Sequence, residues 1–294
     1  MPRLIVNADD FGLTPGVNQA VVDLHVAGAL TSATLMAAAP YFSQAVALAK
    51  QHSTLGVGCH VVLLDGVPLS PPAEISTLLD HNASLPAFRS TLGHFVRDLL
   101  LGRIESRHIY IETAAQIRHL QAHGVTVTHV DTHKHTHMFP QVLEPVLRAA
   151  RDCGVCAIRN PFEPGWSTRR TPHASTLRRM EVRVLHTLHS QFVKQAHRHE
   201  LATTDGSLGV LATGTLDAQS IRAILKNIPE GTWELVCHPA YVDAQLREAR
   251  TRLIESRQVE TDALKETLSR GAASSTSSAF AGLARIHFGD LLSK

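Results

Sequence analysis

Seven or eight short apolar runs alternate with helical patterns along this chain of 294 residues, and that alternation limits the folds open to it. The runs are Leu4 to Asn7, Thr34 to Ala38, Leu55 to Leu63, Val125 to Asp131, Cys156 to Arg159, Leu208 to Leu211, Trp233 to Cys237 and Arg285 to Phe288. Between them the pattern predicts helices from Pro15 to Ala27, Phe42 to Gln51, Ser106 to His123, Pro140 to Cys153 and Asp217 to Asn227. Gly124 reads as a stop and Asp217 as an N-cap. Strands that take turns with helices build parallel sheets, so the class is α/β.

The polar residues narrow the architecture. Asp9-Asp10, His60, Asp131 to His137, Arg159 and His238 all follow the C-terminal ends of apolar runs. An open doubly-wound sheet gathers its chemistry at one switch point, whereas a (β/α) barrel draws on the rim of many strands. Chemistry at five strand ends therefore predicts an irregular TIM-like (β/α) barrel of seven to eight mostly parallel strands. One domain would span residues 1–294. Insertions at 64–90 and 160–205 would shape access to the rim, and Gly271 to Ser278 reads as a flexible exposed loop.

The run Asp131-Thr-His133-Lys-His135-Thr-His137 is the richest of these segments. In an extended strand, side chains two apart share a face, so one carboxylate and three imidazoles would project together. Neutral imidazole and carboxylate are the usual ligands of a divalent metal. A solvated loop is the bland alternative for this run, a turn for Asp9-Asp10, and a satisfied rim or capping residue for His60 and His238. Taken together the segments supply an Asp plus two His for a metal, a spare carboxylate and a separate His. Those are the parts of metal-assisted hydrolysis, in which a carboxylate takes a proton from water and a His protonates the leaving group. No Gly-x-Ser-x-Gly, P-loop or Gly-x-Gly-x-x-Gly competes with that reading.

Composition excludes other classes. A net charge of +2 leaves no nucleic-acid footprint, and no 18-residue apolar stretch spans a bilayer. The N-terminus runs into a strand without a signal-peptide pattern. Cys59, Cys153, Cys156 and Cys237 do not form a disulfide framework in a chain this long, so a reducing cytoplasmic setting is expected.

Four motifs in order resemble the YdjC-like carbohydrate deacetylases: Asn7-Ala-Asp-Asp-Phe-Gly12, Gly58-Cys-His60, Thr128 to His137 with Met138-Phe-Pro140, and Cys237-His-Pro-Ala240. The resemblance covers nearly the whole chain. It is greatest to the hopanoid-biosynthesis-associated branch, through Pro71-Pro-Ala-Glu74, Leu79-Asp80, Lys134, Arg159 to Pro164 and Thr213 to Leu216. It implies a metal-dependent N-deacetylase acting on an N-acetylglucosaminyl hopanoid, with one divalent ion, zinc first and Mg, Mn, Co or Ni as alternatives. Asp9 would be the general base, and His238 the general acid or a stabiliser of the tetrahedral state. Asp10, His60 and His133 would hold the metal, the choice of His133 over His135 resting on the motif alone. His135 and His137 would line the site. Arg159, Phe162 and Trp166 complete the expected substrate contacts, the last two as a cover for an apolar aglycone. A homodimer and peripheral contact with the inner membrane surface stay open. The alternatives are deacetylation of a soluble chitooligosaccharide, a metal-dependent phosphoesterase, or a non-catalytic metal- or sugar-binding protein, which would have no use for the spare Asp9.

Overall fold

The computed structural model describes residues 1–172, 174–270 and 282–292; the expected loop Gly271 to Ser278 lies outside them. Seven strands form one sheet: β1 (Arg3–Phe11), β2 (Ser32–Leu35), β3 (Gly56–Val61), β4 (Val127–Thr132), β5 (Gly206–Leu208), β6 (Thr232–Cys237) and β7 (Ala284–Arg285). The order is β4-β3-β2-β1-β6-β5, with β7 against the start of β1, and every named pairing is parallel. The chain is thus an α/β protein with a curled parallel sheet of barrel type.

Physical causes are local. β1 is buried along Leu4 to Phe11, as expected of a strand covered on both faces. The helix Pro15–Val26 starts where Thr14 accepts the Val17 N–H and Pro15 presets the first turn. Asp217 caps the helix Ala218–Leu225 by accepting from the Ser220 N–H.

Beyond β4 the ladder is carried on by single bridges, Val130 to Ile158 and Ala157 to Ala202. Cys156 to Arg159, expected as a strand, is therefore only a pair of bridging residues. They curl the sheet round toward β5. The other end of the barrel is closed by a stacked pair: the His129 ring lies 3.7 Å from the Phe288 ring and 12° from parallel. Phe288 begins a short 3-10 turn instead of ending a strand. Gly58 makes the room, since a Cβ there would sit 2.4 Å from the His129 ring.

The two insertions carry structure. Residues 64–90 hold two 3-10 turns and are anchored by Glu112, which accepts the Leu69 and Ser70 N–H groups. Residues 160–205 hold the helices Gly165–Arg170, Thr176–Leu185 and His189–Arg198. Three further helices, Leu92–Leu100, Ala244–Glu248 and Glu255–Leu268, have no counterpart in the sequence reading.

Candidate metal centre

β1 ends irregularly. Its register passes from Ala8–Ala33 to Phe11–Leu35, three residues against two, so one residue is extra. The bulge includes Asp10 in the left-handed region at φ 64°. Bulges of this kind re-aim side chains, and an L-residue held left-handed stores a little strain where a site needs it. Both neighbouring carboxylates thereby reach one cavity at the strand ends.

Asp10 meets His60 from β3 and His133 from the turn after β4. His60 Nε2 and His133 Nδ1 each lie 3.5 Å from Asp10 Oδ1, and 3.3 Å from one another. Donors around a tetrahedral ion, each about 2.0–2.1 Å from it, stand about 3.3–3.4 Å apart. The trio has that spacing. Asp10 Oδ1 is buried and has no hydrogen-bond partner among the described residues, as a ligand atom awaiting an ion would be. Its other oxygen accepts from buried Arg257.

The charges agree. Arg159 and Arg257 are buried beside Asp9, Asp10 and Asp131. Burial pushes each of these carboxyls up, but the guanidiniums and nearby imidazoles outweigh it and hold all three below the usual range. Three ionised carboxylates thus face two guanidiniums. His60 responds to the excess: burial would lower it, yet Asp131, Asp9 and Asp10 lift it to about 9. A site that would otherwise hold a proton on its own imidazole fits a divalent cation.

Behind the trio, Asp131 Oδ1 lies 2.8 Å from His60 Nδ1. Asp9 sits to one side, held by Arg159 Nη2 at 2.6 Å and Nη1 at 2.9 Å, with Asn7 and Thr34 also donating to it. Arg159 also meets Asp131 and Glu234. His238 follows β6, its Nε2 3.8 Å from Asp9 Oδ2, and its backbone N–H donates to Glu260 at 2.6 Å. Burial lowers His238 to about 4, so its ring is neutral at pH 7.

Strand alternation does not carry the His run, and that expectation is corrected. β4 stops at Thr132, and 133–138 is a 3-10 turn with Lys134 and His135 both left-handed. Thr132 Oγ1 accepts the His137 N–H and so tightens the turn. Only His133 joins the trio. His135 lines the cavity. His137 is fully buried and bonds Thr132 and the Arg159 carbonyl, so it does not face substrate space.

The cavity is about 970 Å³. Asp9, Asp10, His60, His133 and His238 share its wall with apolar Leu13, Met36, Met138, Phe162, Val182 and Leu185. Arg159 and Trp166, expected to touch substrate, do not line it. Arg159 is spent on carboxylates beneath the site, and Trp166 packs edge-on against Trp233, 5.1 Å between ring centres. Arg257, Glu260, Glu234 and Thr34 escaped the sequence reading. Arg257, Glu260, Thr261 and Leu264 fall on one buried face of a helix, and charged residues at that spacing were the available signal.

Residues 3–271 match the model of the family described as YdjC-like protein. Similar proteins include the carbohydrate deacetylases of Geobacillus stearothermophilus (34% identical, 84% of this chain and 83% of the relative) and Brevibacillus brevis (33%, 82% of each). That of Thermoanaerobacter pseudethanolicus is 31% identical over 84% of each chain. A crystal structure from Enterococcus faecalis V583, described provisionally as a cellobiose-phosphate cleavage protein, superposes with a TM-score of 0.76 over 99% of this chain and 98% of that one. At 24% identity it shows a shared fold.

Proposed function

Because this chain belongs to the YdjC-like family, we propose that it is a metal-dependent carbohydrate deacetylase that hydrolyses an N-acetyl group to acetate and a free amine. The observation that carries the reading is the Asp10–His60–His133 trio, with Asp9 and His238 beside it in one cavity. The relatives' activity on carbohydrates supports it.

Asp10, His60 and His133 would hold the ion. Zinc suits this donor set best, with Mg, Mn, Co or Ni as alternatives. When bound, a divalent ion polarises the acetamide carbonyl and acidifies water. The protein's residues move the protons. Asp9, kept ionised by Arg159, would accept the proton of the attacking water by giving up one of the hydrogen bonds it takes from Arg159, Asn7 and Thr34. His238, neutral at rest and 3.8 Å from Asp9, relays a proton to the departing amine. Asp131 fixes the ring of His60, and Arg257 fixes the carboxylate of Asp10.

The finer reading is an N-acetylglucosaminyl hopanoid as substrate. A cavity of about 970 Å³ has room beyond one sugar ring, and its apolar wall suits a triterpenoid aglycone. The test is acetate release by metal-loaded and EDTA-treated protein from that glycolipid and, in parallel, from diacetylchitobiose. Metal-dependent release from the lipid supports both readings. Release from the soluble sugar alone keeps the chemistry and removes the lipid. Release of phosphate from generic phosphoesters, with no acetate from either, would overturn the deacetylase reading.

A further inference from the structure

The helix Thr176–Leu185 presents two different faces. Val182 is buried, and with Leu185 and Arg178 it lines the cavity. Leu177, Met180 and Val184 lie at intervals of three and four along another face and are 67%, 63% and 61% exposed. Isolated exposed apolar residues are ordinary, but three aligned on one short helix form a stripe.

Charge says what such a stripe meets. Between residues 165 and 185 the chain carries five arginines against the single acid Glu181. Arg178 pairs with Glu181, and Arg170 and Arg179 donate to backbone carbonyls, while Arg169 and Arg183 are exposed, Arg183 next to Val184 of the stripe. An exposed apolar stripe in a stretch of net positive charge suits a helix that lies in an anionic membrane interface. A second copy of the chain is a poorer occupant. A two-fold contact would set this helix against itself and bring its arginines together.

We propose that the helix Thr176–Leu185 docks the protein on an anionic lipid surface through Leu177, Met180 and Val184. The other side of this helix faces the cavity, whose wall Val182 and Leu185 share with Leu92 of the helix Leu92–Leu100. The proposal deepens the glycolipid reading above, but its test needs no turnover.

The experiment is co-sedimentation of the purified full chain with vesicles of phosphatidylcholine and phosphatidylglycerol in equal parts, at low and at physiological salt. Vesicles of phosphatidylcholine alone run beside them. Binding to the anionic vesicles that weakens with salt is expected. The triple variant Leu177→Ser, Met180→Ser, Val184→Ser should bind roughly tenfold more weakly or less, with an unchanged melting temperature. Asp10→Ala should bind vesicles like the unaltered protein, which separates this result from any failure of the catalytic reading. Four outcomes would overturn the proposal: no binding at low salt, equal binding to neutral vesicles, undiminished binding of the triple variant, or a dimer in solution that the triple variant dissociates.

Discussion

His60 Nδ1 lies 2.8 Å from Asp131 Oδ1, with both side chains buried. An ionised carboxylate can only accept, so the Nδ1 carries a proton, and the Nε2 points toward Asp10 and His133, its lone pair available to an ion once the imidazole gives up its second proton. The sheet register sets this up, because His60 on β3 pairs with Asp131 on β4. Metal-bound histidines commonly donate their second nitrogen in this way, and losing the acceptor costs roughly 10–100-fold in metal affinity. Asp131→Asn is expected to lower zinc affinity by that factor in a chelator competition, and Asp10→Ala to abolish binding. An Asp131→Asn protein with undiminished affinity would remove Asp131 from the role.

Asp9 gives a sharper separation of binding from chemistry. It lies outside the trio formed by Asp10, His60 and His133; its other grouping, with His60 and Asp131, is taken up by Arg159, which bonds both oxygens of Asp9 and also meets Asp131. Asp9→Asn should keep metal content near that of the unaltered protein and lower kcat by about 100- to 10,000-fold, the usual worth of a proton-transfer group. Full activity in Asp9→Asn would sink the assignment, and so would loss of metal.

Much of this arrangement was open to the sequence because its parts are local. Apolar runs, caps and strand-end motifs are written within a few residues of one another. Asp9, Asp10, His60, His133 and His238 all reach one cavity for that reason. What was hidden depended on backbone turns and on distant segments. Alternation could not anticipate that β4 would stop at Thr132, or that Lys134 and His135 would turn left-handed. Arg257 lies 247 residues from Asp10 in the chain, and only the folded barrel brings them together.

The floor of the barrel predicts a pH effect. Burial against Phe288 lowers His129 from the ordinary 6.5 to about 3. The folded state therefore keeps His129 neutral where the unfolded chain takes a proton. Its contribution to stability is whole above pH 6.5 and is lost as pH falls from there toward 3. While only the unfolded form is protonated, the loss is about 1.4 kcal/mol per pH unit. Urea unfolding at pH 7 and pH 5 should show His129→Phe with a shallower acid decline than the unaltered protein. An identical decline in both would show that another group dominates.

Gly58 tests the same packing from the neighbouring strand. A Cβ at Gly58 would fall within 2.4 Å of the His129 ring, which is itself pinned by Phe288. Nothing flexible is there to give way. Gly58→Ala should destabilise the fold by about 1–3 kcal/mol, as overpacked cores do. Gly93→Ala is the control, because nothing lies within 4 Å of its Cβ. Equal melting temperatures for the two variants would mean that the floor is looser than the stacking implies.

Glu260 is where the rim can be tested without touching the metal trio. Its Oε2 accepts the backbone N–H of His238 at 2.6 Å, while the His238 Nδ1 stands 3.9 Å away. Burial lifts Glu260 to about 7, so near neutrality it is held partly protonated. A protonated carboxyl keeps an oxygen that can accept the same N–H, and so does the amide of glutamine. Glu260→Gln should therefore preserve the position of His238 and most of kcat. Glu260→Ala leaves that N–H without its acceptor and frees the loop after β6. A displacement of about an ångström at a proton-transfer group can cost on the order of 100-fold in rate. The expected pattern is a large fall in kcat for Glu260→Ala, little change for Glu260→Gln, and unaltered zinc affinity in both. Equal kcat in all three proteins would show that His238 is positioned by Pro239 and the end of β6 without help from Glu260.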